Sequence, residues 1–214
     1  MNFLPDLPTF LQFLVATFVV AITPGPDMTL YIGRTLSQGR AAGMACMLGA
    51  LTGCAIHTVL VAVGLSALIL ASPQAFLALK LFGAGYLIWL AYGALRYGSA
   101  FTPGPETGRA PRTLMQNWMA GIGVNLLNPK VILFFVTFLP QFVHADDPNA
   151  IGQLFVLGAI FIIGSLPINV PIILAAEQVA SLLTRSPAVT RSIDYLFAGI
   201  FSAFAVKILT AQAQ

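Results

Sequence analysis

Two short stretches carry the side chains that could do chemistry in this chain, and both interrupt apolar runs. Residues 21–31 read AITPGPDMTLY directly after a lipid-like segment, and residues 123–135 read GVNLLNPKVILFF. Proline has no N–H, so within a helix Pro24 frees the carbonyl of Val20, Pro26 that of Ile22 and Pro129 that of Asn125. In hydrocarbon a free carbonyl is costly unless something pairs with it, so each break must face protein or a watery cavity. Gly25 separates the first two prolines, and Asp27 follows in the first turn of the resumed helix. The positive end of that helix favours a carboxylate there, whereas burial disfavours the charged form. A group held between these effects can exchange a proton or bind an ammonium ion.

The second break supplies the opposite charge. Asn125 and Asn128 bring amide donors and acceptors, and Lys130 brings a cation near the middle of the apolar run. An acid at one break and an amine at the other complement a zwitterion: Asp27 for an α-ammonium, Lys130 and its half-helix N-terminus for an α-carboxylate. Two alternatives stay open, a structural pair between Asp27 and Lys130 and snorkelling of the lysine to the interface. A third stretch, GSLPINVP at 164–171, holds Pro167 and Pro171 with Asn169 between them. Asn169 is a candidate for substrate contact or for bonding a neighbouring helix. His57, alone in GCAIHTVL, reads as a packing histidine ahead of a proton relay.

The elements that must hold these residues are set by composition. The 214 residues are 58% hydrophobic and 8% charged, with a mean hydropathy of +0.89. Soluble domains carry about 25% charged residues, so the bulk of this surface faces lipid. The net charge of +3 comes from arginines in short loops, with no basic stripe interleaved with aromatics, which argues against nucleic acid. Cys46 and Cys54 stand eight residues apart on one expected helix, about 12 Å along its axis, too far to bridge. The sequence has no HExxH, no Walker-type GxxxxGK[ST] and no GxSxG. No metal, nucleotide or other cofactor is expected and no enzyme activity, so uphill transport would draw on an ion gradient.

Six segments reach the roughly 20 residues a crossing helix needs: 9–32, 42–70, 75–97, 115–139, 151–176 and 193–212. A secretory leader begins with basic residues, and here the first is Arg34, so the first apolar run is expected to remain as a crossing. Counted from the N-terminus, loops one, three and five hold Arg34, Arg40, Arg96, Arg109, Arg112, Arg185 and Arg191. Loops two and four hold no Lys or Arg, and loop four has Asp146 and Asp147. Basic loops stay cytoplasmic, so both termini face outward. Three crossings per half make the second half enter from the opposite side, as in an inverted repeat. Pro24 and Pro129 break corresponding crossings, and LFGAGY at 81–86 parallels LFAGI at 196–200. The expected fold is an all-α membrane protein of six transmembrane helices in two inverted three-helix repeats, N-out and C-out. Residues 1–97 form the first repeat, 98–114 a cytoplasmic linker and 115–214 the second repeat.

TPGPD, then GRAAGMACMLG, KLFGAGYLIWLAYGALR and GVNLLNPKVILFF resemble, in order and spacing, the lysine and homoserine/threonine exporter (LysE/RhtB-type) family, over nearly the whole chain. The resemblance implies a small multi-pass exporter of the bacterial inner membrane that moves an amino acid or derivative outward by proton exchange. It puts the site at Pro24, Gly25, Pro26 and Asp27, and at Asn125, Asn128, Pro129 and Lys130. The chain departs from the family where asparagine is common at Asp27 and where glycine is common at Ala91 and Ala205. Expected partners are a small-molecule amino acid, the proton gradient and the lipid bilayer, with self-association left open. Divalent-metal efflux and a non-transporting scaffold are the rival readings.

Overall fold

The computed structural model describes residues 5–71, 81, 85, 88, 89, 91, 92, 95, 96, 112–143 and 147–211. Most of the expected third crossing, most of the 98–114 linker and Asp146 lie outside the described residues. What is described is all-helical.

Helix α1 (Leu7–Ile22) opens on Asp6, whose carboxylate accepts from the Thr9 N–H at 3.2 Å, a side-chain cap for an otherwise unpaired donor. It stops before Pro24, which drives the preceding Thr23 into extended backbone. Gly25 is also extended, and Pro26 starts α2 (Pro26–Gln38), the helical position where a missing N–H costs nothing. The two helices meet at a bend of 51°. Gly39 ends α2 at φ +88°, a left-handed conformation that glycine adopts without strain. Helix α3 (Arg40–Ala71) begins at the next residue.

The second broken unit follows the same logic. Helix α4 (Leu114–Leu126) starts with a reciprocal capping box between Thr113 and Gln116. Helix α5 (Pro129–Leu133) has Pro129 in its first turn and Asn128 as its cap, accepting from the Lys130 N–H at 3.1 Å. The bend between α4 and the α5 unit is 56°. Beyond Leu133 the helix widens to a π turn over Phe134–Phe138 and tightens to a 3₁₀ turn over Leu139–Phe142. Pro140 lies there and cannot donate to Val136. Helices α6 (Ala150–Leu174), α7 (Ala176–Arg185) and α8 (Pro187–Ala211) complete the described chain. Among the described residues α3 and α6 are each long and apolar enough to cross a membrane, and the count rises to four if each bent pair is one crossing.

Two expectations change. Arg34 is not a loop residue: α2 runs on to Gln38 and Arg34 is buried within it. The fifth loop, with Arg185 and Arg191, is largely helical, because α7 and α8 leave only Ser186 between them. Pro167 and Pro171 lie inside α6, which continues through both as one segment.

Small residues bring α3 against α4. A Cβ on Gly49 would lie 2.0 Å from the Trp118 carbonyl, and one on Gly121 would lie 2.1 Å from the Cys46 carbonyl. Close backbone approach of this kind is how helices associate in lipid, where no hydrophobic force drives them together. Cys46 Sγ donates to Asn117 Oδ1 at 3.9 Å and Cys54 Sγ to Asn125 Oδ1 at 3.7 Å. The separation in sequence is 71 in both pairs, so α3 and α4 run parallel. Both thiols are free and buried, as expected from their spacing.

Two apolar clusters flank the breaks. One gathers Phe13, Phe134, Phe135, Phe138 and Phe161 with Val20 and Val131. Its rings meet edge-on or tilted, for example Phe13 on Phe142 at 5.1 Å and Phe134 on Phe161 at 4.7 Å, arrangements that aromatic quadrupoles favour. The other gathers Met28, Tyr31, Ile32, Cys46, Met47 and Ile173. The polar residues of the two breaks lie between them.

Candidate functional site

The second break supplies the first. Lys130, at the start of α5, donates from Nζ to the Val20 carbonyl at 3.0 Å and the Thr23 carbonyl at 2.8 Å. The first of these is the carbonyl that Pro24 frees. Asn125, at the end of α4, donates from Nδ2 to Asp27 Oδ2 at 2.9 Å. Both donors thus come from the second broken unit and both go to the first. The carbonyl that Pro129 frees, on Asn125, accepts from the Asn128 N–H at 3.0 Å.

Lys130 neither snorkels nor pairs with Asp27. The two charges lie near enough to act on each other, yet among the described residues they form no ion pair. The ammonium goes instead to the C-terminal end of α1, whose dipole end is negative. Two of its three N–H donors are committed there, leaving one for the cavity beside it. Gly25 makes the room: a Cβ at that position would lie 3.2 Å from Lys130 Nζ and 3.4 Å from its Cε.

A cavity of about 40 Å³ opens at this crossing, room for a few water molecules. Of the sequence-predicted residues, Asp27, Asn125, Lys130 and Asn169 line it. Pro24 is buried behind the break, Pro26 and Pro129 are exposed, and Gly25 packs on Lys130. Asn128 is buried beside Asp27, its amide near the carboxylate without closing a well-formed hydrogen bond. Asp27 Oδ1, Asn128 Nδ2 and His57 Nε2 are all buried and without a hydrogen-bond partner. Buried polar atoms are normally paired, so the free Asp27 oxygen at the cavity marks a place for water or a polar ligand.

Four further residues belong here. Tyr31 lines the cavity and donates its hydroxyl to Asn169 Oδ1 at 3.1 Å, joining α2 to α6. Cys54 and Ser165 line it as well. His57 is buried and stacks on Phe135 at 5.6 Å, so it packs behind the break. Helical spacing could have found most of these. Tyr31 is one turn beyond Asp27, Ser165 and Phe161 lie one and two turns before Asn169, and Met47, Ala50, Leu51 and Cys54 form one face of α3. Among the described residues no three His, Cys, Asp or Glu side chains come together as a metal ion would need.

The LysE type translocator family matches residues 18–212. The chain belongs to that family. It is a multi-pass membrane protein of the bacterial inner membrane. A homoserine/homoserine lactone efflux protein of Salmonella typhimurium is 28% identical over 200 residues, covering 94% of this chain and 95% of the relative. A leucine efflux protein of Salmonella choleraesuis is 25% identical over 201 residues, covering 94% of each chain. An uncharacterised membrane protein of Vibrio cholerae is 29% identical, covering 97% of this chain and all of the relative. No solved structure matches the chain.

Proposed function

We propose that this LysE-family translocator is a secondary transporter that carries a small amino acid or close derivative out of the cytoplasm in exchange for protons. The observation that carries the reading is Asp27: a carboxylate at the head of a resumed helix, held by Asn125 on one oxygen, with its other oxygen unpaired beside the cavity. That oxygen suits an α-ammonium or a proton. The remaining N–H of Lys130 and the amide of Asn128 suit an α-carboxylate. Apolar walls from Val20, Met47, Leu51, Val131 and Phe161 suit the rest of a small zwitterion. The efflux proteins among its relatives support the same transport class.

The architecture we infer is six crossings in two inverted repeats, residues 1–97 and 115–214 joined by 98–114, with both termini outside. Parallel α3 and α4 support it, because the chain between them must return across the bilayer. So does the bend of similar size at each rupture, 51° in the first and 56° in the second, as paired breaks in two repeats would show. Transport would then rock one repeat against the other around the fixed breaks.

The test is Asp27→Ala in proteoliposomes loaded with a mixture of amino acids under an imposed pH gradient. Insertion is expected to be normal and export to fall to background. Wild-type export by the variant would refute the assignment.

A further inference from the structure

The carbonyls that a broken membrane helix exposes are the groups with which many transporters coordinate sodium, through unwound backbone and half-helix C-terminal ends. At the first break of this chain the Val20 and Thr23 carbonyls converge on one point, and Lys130 Nζ occupies it at 3.0 and 2.8 Å. We propose that this is a monovalent-cation cradle whose resident cation is a tethered ammonium, so that the first break takes no sodium ion from solution.

Four observations carry the assignment. The ammonium sits at the negative end of α1, the position a free cation would seek. It does so although Lys130 lies in the first turn of α5, where its own helix disfavours positive charge, so the cradle and not the local helix sets its position. It takes the carbonyls in preference to an ion pair with Asp27, whose charge nevertheless lies close by. Finally, Gly25 lies directly against the ammonium, where a Cβ would come within 3.2 Å of Nζ and crowd it. The lysine spans 110 residues of sequence to reach Val20, so the cation also pins the second broken unit to the first. An ion from solution could fill the same carbonyls but could not make that tether.

The inference deepens the transport reading by excluding sodium as the coupling ion at this break, while the cradle itself can be tested without any transport. The measurement is the melting temperature of purified protein in choline, sodium or methylammonium chloride at one ionic strength. Wild type is expected to melt at the same temperature in all three. Lys130→Ala vacates the cradle and should melt several degrees higher in methylammonium or sodium than in choline, which is too bulky to enter, because a ligand bound only by the folded state stabilises it. Lys130→Gln keeps an amide for the carbonyls and should respond to none of them. If Lys130→Ala is not recovered from choline buffers, recovery only with the small cation is the same expected result read as yield. Wild type that needs sodium for full stability, or Lys130→Ala indifferent to both small cations, would overturn the proposal. In proteoliposomes wild-type export should run unchanged when choline replaces sodium. Absence of any amino-acid export would count against the proposed function and leave the melting result standing.

Discussion

Gly53→Ala tests the geometry of the site with one methyl group. A Cβ on Gly53 would lie 2.4 Å from Asn125 Oδ1 and 2.9 Å from Asn125 Cβ and Cγ. Carbon contacts settle near 3.5 Å, so Asn125 must give way by about 1 Å. Its Cβ is rooted in α4, and α4 is fixed against α3 by the close approaches at Gly49 and Gly121. Rotation of the Asn125 side chain relieves Oδ1 and Cγ, taking Nδ2 away from Asp27 Oδ2 and Oδ1 away from Cys54, and the remaining Cβ contact must be relieved by a small shift of the backbone. Crowding a packed position costs about 1–3 kcal/mol. A lost hydrogen bond to a charged group is worth about 1.5–3 kcal/mol, equivalent to roughly 10- to 150-fold in occupancy of a correctly oriented site. Export per inserted protein in proteoliposomes should fall by that factor, with a lowered melting temperature. The control is Gly64→Ala on the same helix, where a Cβ meets nothing within 4 Å. Export by Gly53→Ala at the wild-type rate, or an equal loss in Gly64→Ala, would refute the reasoning.

Tyr31→Phe removes the 3.1 Å bond to Asn169 and leaves a buried amide oxygen unpaired, at a cost of about 1–3 kcal/mol; the melting temperature should drop and the apparent KM for the exported amino acid should rise. His57→Phe keeps a ring on Phe135 and removes the buried, unpartnered Nε2, so the melting temperature should hold or rise while circular dichroism stays unchanged. Thr113→Ala deletes the capping box of α4 and should cost about 1 kcal/mol, visible as a lower melting temperature with export per folded protein intact.

The sequence by itself determined the solvent and the ruptures. A charged content of 8% leaves no alternative to lipid, and proline breaks a helix through its own covalent structure, so Pro24, Pro26 and Pro129 are legible one residue at a time. The same locality sets the limit of reading. Whether a proline interior to an apolar run ruptures it depends on what packs alongside, and α6 runs straight through Pro167 and Pro171. Arg34 looked like a loop charge because α2 continues past the apolar stretch that marks its beginning.

Only the tertiary structure decided who satisfies whom. Lys130 was legible as a cation at a break, but its commitment to carbonyls 107 and 110 residues earlier was not. The same holds for Asn125 on Asp27 across 98 residues and Tyr31 on Asn169 across 138. A freed carbonyl announces in sequence that it needs a donor, because the missing N–H is a property of one residue. Which donor arrives is settled through space, by the close approach of α3 and α4 at their glycines and by the bends that turn both ruptures toward one hollow.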